Sequence, residues 1–239
     1  MSEARQQHEP TKAGAGVHSE QVAALPAPIQ RRGLRTAAKL TSILLIAGAA
    51  WLAWRKVEYQ FIPKRFVAVE PGFLYRSGQI SPRLIRKVLQ ENEIDLVVSM
   101  LHYDENKPEH RAERAAVEEL GIEQVNLHLR GNGTGDIRHY AEAVAAVARA
   151  KQEGKQVLVH CAAGARRSAG VVAAYQVLVE KVPPEVAYQE LDRFGDRPVA
   201  ESPLLAYLNE NMETLAKLLV EMGVIRRVPE PLPQFRPSS

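Results

Sequence analysis

Cysteine is almost missing from this chain: Cys161 is the only one in 239 residues. A lone thiol excludes any disulfide within the chain and any zinc or iron–sulfur site built from clustered cysteines. It leaves Cys161 as either inert packing or chemistry. Aromatic residues are scarce as well, at 6%, and neither sign of charge dominates, since 31 Lys and Arg against 28 Asp and Glu give a formal charge of +3. That excess is too small and too scattered to argue for nucleic acid, although it suits anionic ligands. Repeated long apolar runs, the mark of a polytopic membrane protein, are absent too. The remaining composition, 46% hydrophobic and 25% charged, builds one core of ordinary size with appendages and is short for two full domains.

Residues 1–34 carry Gln, Glu, Ala, Gly and Pro without apolar periodicity and read as a disordered tail. Leu40–Trp54 then runs without charge between Lys39 and Arg55-Lys56. At 1.5 Å per residue it spans roughly 22 Å, against roughly 30 Å for a hydrocarbon core. Started from Thr36, with Lys39 snorkelling and Trp51 and Trp54 in the interfacial belt, it reaches roughly 28 Å. We therefore expect one transmembrane anchor within residues 35–57, meeting the membrane through residues 36–54; a buried core helix is the alternative. Basic residues stand on both flanks, Arg31, Arg32, Arg35 and Lys39 before it and Arg55, Lys56, Lys64 and Arg65 after it, so charge does not orient it. Arg31-Arg32 ahead of an apolar run also resembles a loose twin-arginine export signal.

From about Phe66 short apolar runs alternate with helical patterns. Strands are expected at Phe66–Val69, Phe73–Tyr75, Leu96–Met100, Val125–Leu129 and Val157–Val159. Helices are expected around Leu84–Leu89, at Pro108–Leu120 closed by Gly121, at Ile137–Lys151 closed by Gly154, and at Ser168–Glu180, Pro184–Phe194 and Pro203–Met222. This alternation predicts an α/β fold with a mainly parallel central sheet flanked by helices, and ligands at the carboxyl ends of the strands. The domain is set at residues 58–225, and the Pro-rich tail at 226–239 is expected to be disordered.

The segment His160-Cys161-Ala162-Ala163-Gly164-Ala165-Arg166-Arg167-Ser168 joins the last predicted strand directly to a helix. A loop in that place gathers backbone N–H groups, and the helix dipole adds positive potential, which makes an anion cradle. Gly164 permits a sharp path, and the alanines leave the amides unobstructed. A cysteine at its mouth has a depressed pKa and is a ready nucleophile. Arg167 can return across the loop to hold two phosphate oxygens, and Ser168 can donate its hydroxyl to the sulfur. His160 orients the loop. The bland alternative is a small buried hydrophobe after a core strand.

His-Cys-x5-Arg-Ser, present as His160, Cys161, Arg167 and Ser168, resembles the signature of the cysteine-dependent tyrosine and dual-specificity phosphatases. Val69–Gln79 (VEPGFLYRSGQ) is similar to the opening strands of compact dual-specificity-like phosphatases. The rhodanese sulfurtransferases are a competitor, but their loop places Arg one residue earlier, where Arg166 stands here without Ser behind it. The resemblance implies that Cys161 attacks phosphorus, that Ala162, Ala163, Gly164, Ala165, Arg166 and Arg167 bind the phosphate, and that no metal or other cofactor takes part. It also implies a general acid on the loop before the preceding helix, where Asp136 is the only carboxylate between Arg130 and Ile137. Asp136 is equally a good helix N-cap. Asp104, after the Leu96 strand, is the reserve candidate.

The resemblance also implies that members acting on highly charged inositol phosphates carry several Lys, Arg or His where Ala162, Ala163 and Ala165 stand here, which tilts the expected substrate toward phosphorylated proteins, with a phospholipid headgroup or other small phosphoester as the alternative. A silent phospho-binding module is the rival from another class. No nucleic acid partner is expected. A low-pKa thiolate survives best on the reducing, cytoplasmic side of a membrane.

Overall fold

The computed structural model describes residues 31–195 and 197–237, without the side chains of residues 31–38, 55 and 56. The chain divides into two units, residues 1–51 and 52–239. Most of the expected tail at 1–34 therefore lies outside the described residues, although helix α1 (Arg31–Val57) already includes its last four.

Helix α1 contains the whole segment expected to cross a membrane. Its large apolar side chains are exposed, Leu44, Leu45 and Ile46 among them. Among the described residues, however, no helix is long and apolar enough to cross a membrane. The expected transmembrane helix is not borne out. The reason is length: Leu40–Trp54 is a run that spans roughly 22 Å, and extending it calls on Thr36, Ala37 and Ala38, whose side chains are not described.

The second unit is an α/β layered structure. Its strands are β1 (Val67–Glu70), β2 (Leu74–Ser77), β3 (Ile94–Ser99), β4 (Glu123–Asn126) and β5 (Gln156–His160). They form one sheet in the order β1-β2-β5-β3-β4, in which only the β1/β2 pair is antiparallel. The helices are α2 (Ile85–Glu91), α3 (Pro108–Leu120), α4 (Ile137–Glu153), α5 (Arg167–Leu178), α6 (Pro184–Asp192), α7 (Pro203–Glu210) and α8 (Met212–Glu221). The expected mainly parallel sheet with helices on both faces is thus what the chain forms.

Period-2 alternation sorts the strand residues to the two faces. Val97 and Leu158 pack with Ile85, Leu89 and Val117 of α2 and α3. Leu96, Val98, Val157 and Val159 face the larger core, built with α4, α5, α7 and α8. The alanines of α4 and α5 let those helices pack closely against the sheet; Val171, Ala173 and Ala174 of α5 are fully buried. Helices α3 and α4 end at Gly121 and Gly154, as expected, both in the left-handed conformation.

Three boundaries differ from the sequence reading. Strand β4 stops at Asn126, although Val125, Leu127 and Leu129 continue the apolar alternation. Beyond one bond from the Leu127 amide to the Ser99 carbonyl, the chain leaves the sheet, and Leu129 bridges back to Gly135. The helix expected over Pro203–Met222 breaks at Asn211, whose side-chain amide donates to the Tyr207 carbonyl. The Pro-rich end is not a loose tail: Phe235 is 2% exposed within the main core, and its backbone N–H and C=O both pair with the Asn209 side chain. Arg236 also pairs with Glu185 at 2.7 Å. Phe235, the two bonds to Asn209 and the Arg236–Glu185 pair together hold a segment that composition alone marks as unordered. Phe235→Ala should cost about 3 kcal/mol, read as a fall of roughly 6–12 °C in the thermal midpoint.

Candidate active site

Strand β5 delivers His160 and Cys161 to the carboxyl end of the sheet, and α5 begins six residues after the cysteine. The loop between them passes close beneath the end of β2. Gly164 has φ 68°, and a Cβ there would stand 2.4 Å from the Gly78 nitrogen. Any other residue is excluded both by conformation and by contact. The Gly164 N–H donates to the Cys161 Sγ at 3.2 Å, and the Ser168 Oγ lies 3.6 Å from the same sulfur.

Cys161 is 1% exposed. Burial alone would raise its pKa, but the Ser168 amide, the Arg167 charge, the Ser168 hydroxyl and the Gly164 amide outweigh it and bring the thiol from 9.0 to about 7. The sequence-predicted cradle therefore stabilises a thiolate, as donors at a helix N-terminus should.

The two adjacent arginines part company. The Arg167 Nη1 lies 3.4 Å from both the Met100 carbonyl after β3 and the Leu129 carbonyl after β4, which sets the guanidinium across the strand ends. The Arg166 Nη2 instead donates to the Arg197 carbonyl at 2.8 Å, beyond α6. The residue six positions after the cysteine is thus the one at the strand ends, which matches the longer loop and not the sulfurtransferase spacing. Arg166 was expected among the phosphate ligands; its guanidinium is directed to another segment.

His160 is buried, and its Nε2 lies 3.1 Å from the Glu113 Oε1. Glu113, on α3, is buried as well and accepts from Gln79 and Gln124. Desolvation opposes both charges, yet their mutual attraction and hydrogen bond raise the His160 pKa and lower that of Glu113. The pair fixes the imidazole in place, in keeping with an orienting role for His160. Sequence reading missed Glu113, which stands 47 residues away from His160. Arg76 was missed for the same reason. It is fully buried, its Nη1 donates to the Gly164 carbonyl at 2.9 Å, and its Nε pairs with Glu190 at 2.6 Å.

Asp136 caps α4: its Oδ1 accepts from the Arg138 amide at 2.9 Å. The loop that carries it is tied down by hydroxyls, from Tyr140 to the Gly133 carbonyl at 2.6 Å and from Tyr207 to the Gly135 carbonyl at 2.9 Å. Leu129, just ahead of that loop, carries one of the two carbonyls that the Arg167 Nη1 reaches. Among the described residues no hydrogen bond joins Asp136 to the phosphate loop. Asp104 closes a tight turn instead, its Oδ1 accepting from the Asn106 backbone and side-chain amides. The backbone bond is the main cause of a pKa below the usual carboxylate range.

The dual specificity phosphatase catalytic domain, as a family model, matches residues 74–214. Human dual specificity protein phosphatase 12 is 34% identical over 87 residues, which cover 36% of this chain and 23% of that protein. Its rat counterpart is 37% identical over 87 residues, with the same coverage. The chain therefore matches less than a quarter of the length of these curated relatives. Among solved structures, TpbA of P. aeruginosa has a TM-score of 0.50 at 21% identity, covering 66% of this chain and 96% of that one. The core catalytic domain of the PP-IP phosphatase SIW14 from S. cerevisiae, in complex with citrate, has 0.52 at 15%, covering 72% and 97%. At such identities the likeness concerns the fold. The family match, by contrast, spans more than half of the chain and includes the whole loop from Cys161 to Arg167: the protein belongs to the dual specificity phosphatase catalytic-domain family, within the cysteine-based phosphatases that hydrolyse phosphoesters.

Proposed function

We propose that the chain hydrolyses phosphomonoesters on proteins, phosphotyrosine and phosphoserine or phosphothreonine alike, through a phosphocysteine. The observation that carries this reading is the Cys161 thiolate, with a pKa of about 7, held by the Gly164 and Ser168 amides beside Arg167. In the first step the sulfur forms a bond to phosphorus as the bond from phosphorus to the leaving oxygen breaks; Asp136 gives that oxygen its proton. In the second, water attacks the phosphocysteine, its proton passes to Asp136, and the sulfur leaves as thiolate with Ser168 donating to it. Arg167 and the loop amides balance the charge on the transferring group throughout. The small side chains of Ala162, Ala163 and Ala165 leave room for a phosphorylated side chain, and they supply no extra cation for a substrate carrying several phosphates. A reducing compartment suits this chemistry, since no second cysteine is present to protect Cys161 as an internal disulfide.

The test is phosphate release by the full chain from p-nitrophenyl phosphate, phosphopeptides, a phosphoinositide and an inositol pyrophosphate. A preference for the last two would overturn the protein substrate, and sulfur transfer from thiosulfate to cyanide would overturn the phosphatase reading. Asp136→Asn should lower kcat on a phosphotyrosine peptide by roughly 100-fold. On p-nitrophenyl phosphate the loss should be smaller, because that leaving group departs readily without a proton. Equal rates for variant and parent on both substrates would move the acid elsewhere.

A further inference from the structure

The carbonyls on the outer side of the phosphate loop are taken up in succession by three cations. The Lys64 Nζ donates to the Ala162 carbonyl at 3.2 Å, the Arg65 Nη1 to the Ala163 carbonyl at 3.0 Å, and the Arg76 Nη1 to the Gly164 carbonyl at 2.9 Å. A trans peptide is planar and directs its C=O and N–H to opposite sides. Holding the carbonyls of Ala162, Ala163 and Gly164 outward therefore turns the N–H groups of Ala163, Gly164 and Ala165 the other way, toward the cradle. For one of them the result is visible, since the Gly164 N–H meets the Cys161 sulfur at 3.2 Å.

Arg76 lies within the matched family segment; Lys64 and Arg65 precede it and stand 98 residues from their partners in the loop. Three further observations show that they are built in. Arg65 holds φ 50°, a left-handed backbone that a non-glycine residue keeps only where its surroundings over-determine it. The Gly78 N–H donates to the Lys64 carbonyl at 2.7 Å, and a Cβ at Gly78 would stand 2.9 Å from the Lys64 Cδ and 3.0 Å from the Ala163 oxygen, so the three segments close on one another without a gap. The Lys64 ammonium also lies 5.4 Å from the centre of the Tyr59 ring, a contact that helps to hold the side chain over the loop.

We propose that Lys64 and Arg65 are positioning residues of the phosphate loop. They grip its outer carbonyls so that its amides are aimed, and their dipoles strengthened, toward the transferring phosphoryl group. The proposal rests on the reading of that loop as the phosphoryl-transfer site. It also makes the segment between α1 and β1 part of the catalytic architecture and not a passive linker.

The experiment compares the full chain with Lys64→Ala, Arg65→Gly and Arg65→Lys, and with Lys217→Ala as a control in an exposed ion pair with Glu213 on α8. Glycine at 65 keeps the left-handed backbone without strain, so it removes the side chain alone. Expected is a fall in kcat/KM of roughly 10-fold for Arg65→Gly and roughly 3-fold for Lys64→Ala, mostly in kcat. Arg65→Lys should recover part of the loss, and Lys217→Ala should match the parent. The second readout needs no turnover: the pH midpoint of Cys161 alkylation by iodoacetamide should rise by about half a unit in Arg65→Gly and Lys64→Ala. Arg167, Arg76, His160 and Tyr140, the titratable groups that interact with the sulfur, remain in place. Unchanged kcat/KM and an unchanged midpoint in variants that melt like the parent would overturn the proposal. So would a loss of activity that follows the thermal midpoint alone and leaves the alkylation midpoint where it was. A parent chain that releases no phosphate, joined to a shifted midpoint in the variants, would sink the phosphatase reading and leave the loop-positioning roles standing.

Discussion

Cys161→Ser should reduce phosphate release on the order of 10⁴-fold or more, while the protein still binds inorganic phosphate. The cradle brings the thiol to about 7, so that at neutral pH roughly half of the sulfur is thiolate. A serine hydroxyl in the same place stays protonated. The groups that could remove its proton are not bases: Gly164 and Ser168 offer N–H donors and a hydroxyl, and Arg167 offers a cation. The phosphate site itself survives, because its amides and Arg167 do not depend on the sulfur. Steady-state turnover together with phosphate titration of the variant checks both halves. Alkylation of Cys161 in the parent should also rise with pH through about 7, well below the 9.0 of an undisturbed thiol, because the thiolate is the reactive form.

Arg167→Ala should cost roughly 10³-fold in kcat, and Arg167→Lys should recover little of it. Removal of one neutral oxyanion donor typically costs about 10²- to 10³-fold, and Arg167 supplies a full charge with a planar fork that can take two oxygens. The Met100 and Leu129 carbonyls sit 3.4 Å from its Nη1 and fix the plane of that fork. A lysine ammonium can replace the charge but not two parallel donors held at a set angle. Losing the cation should also move the Cys161 alkylation midpoint upward, since Arg167 is among the groups that lower it. A variant with parental kcat would remove Arg167 from the transition state.

The centre of the site was legible because it is local. His160 through Ser168 lie in one stretch, and the strand before it and the helix behind it announce themselves by apolar pattern, so the anion cradle followed from sequence alone. What escaped was distant in sequence. Arg76, Glu113, Lys64 and Arg65 reach the loop or its histidine from 47 to 98 residues away; the stretch around Arg76 carries a family resemblance, but nothing in it points to the loop, and the neighbourhoods of the other three carry no mark. Lys64 and Arg65 even read as flanking charges of a membrane segment, because a basic pair after an apolar run fits that role as well. Strand β4 was misplaced because burial of Leu127 and Leu129 continues past the ladder. Phe235 shows the opposite failure, an ordered segment concealed by prolines that restrict the backbone without preventing it from packing.

Helix α5 is buried along nearly its whole length, and β5 before it is covered on both sides by neighbouring strands. Amides in such elements exchange with solvent only when the entire domain opens. The loop from Cys161 to Arg167 is thus suspended between two elements of the buried core, whereas the Arg130–Asp136 loop is held by two tyrosine hydroxyls and turn bonds in place of a ladder. The frame of Cys161 therefore holds still through local fluctuations, and openings short of the whole domain fall on segments outside β5 and α5.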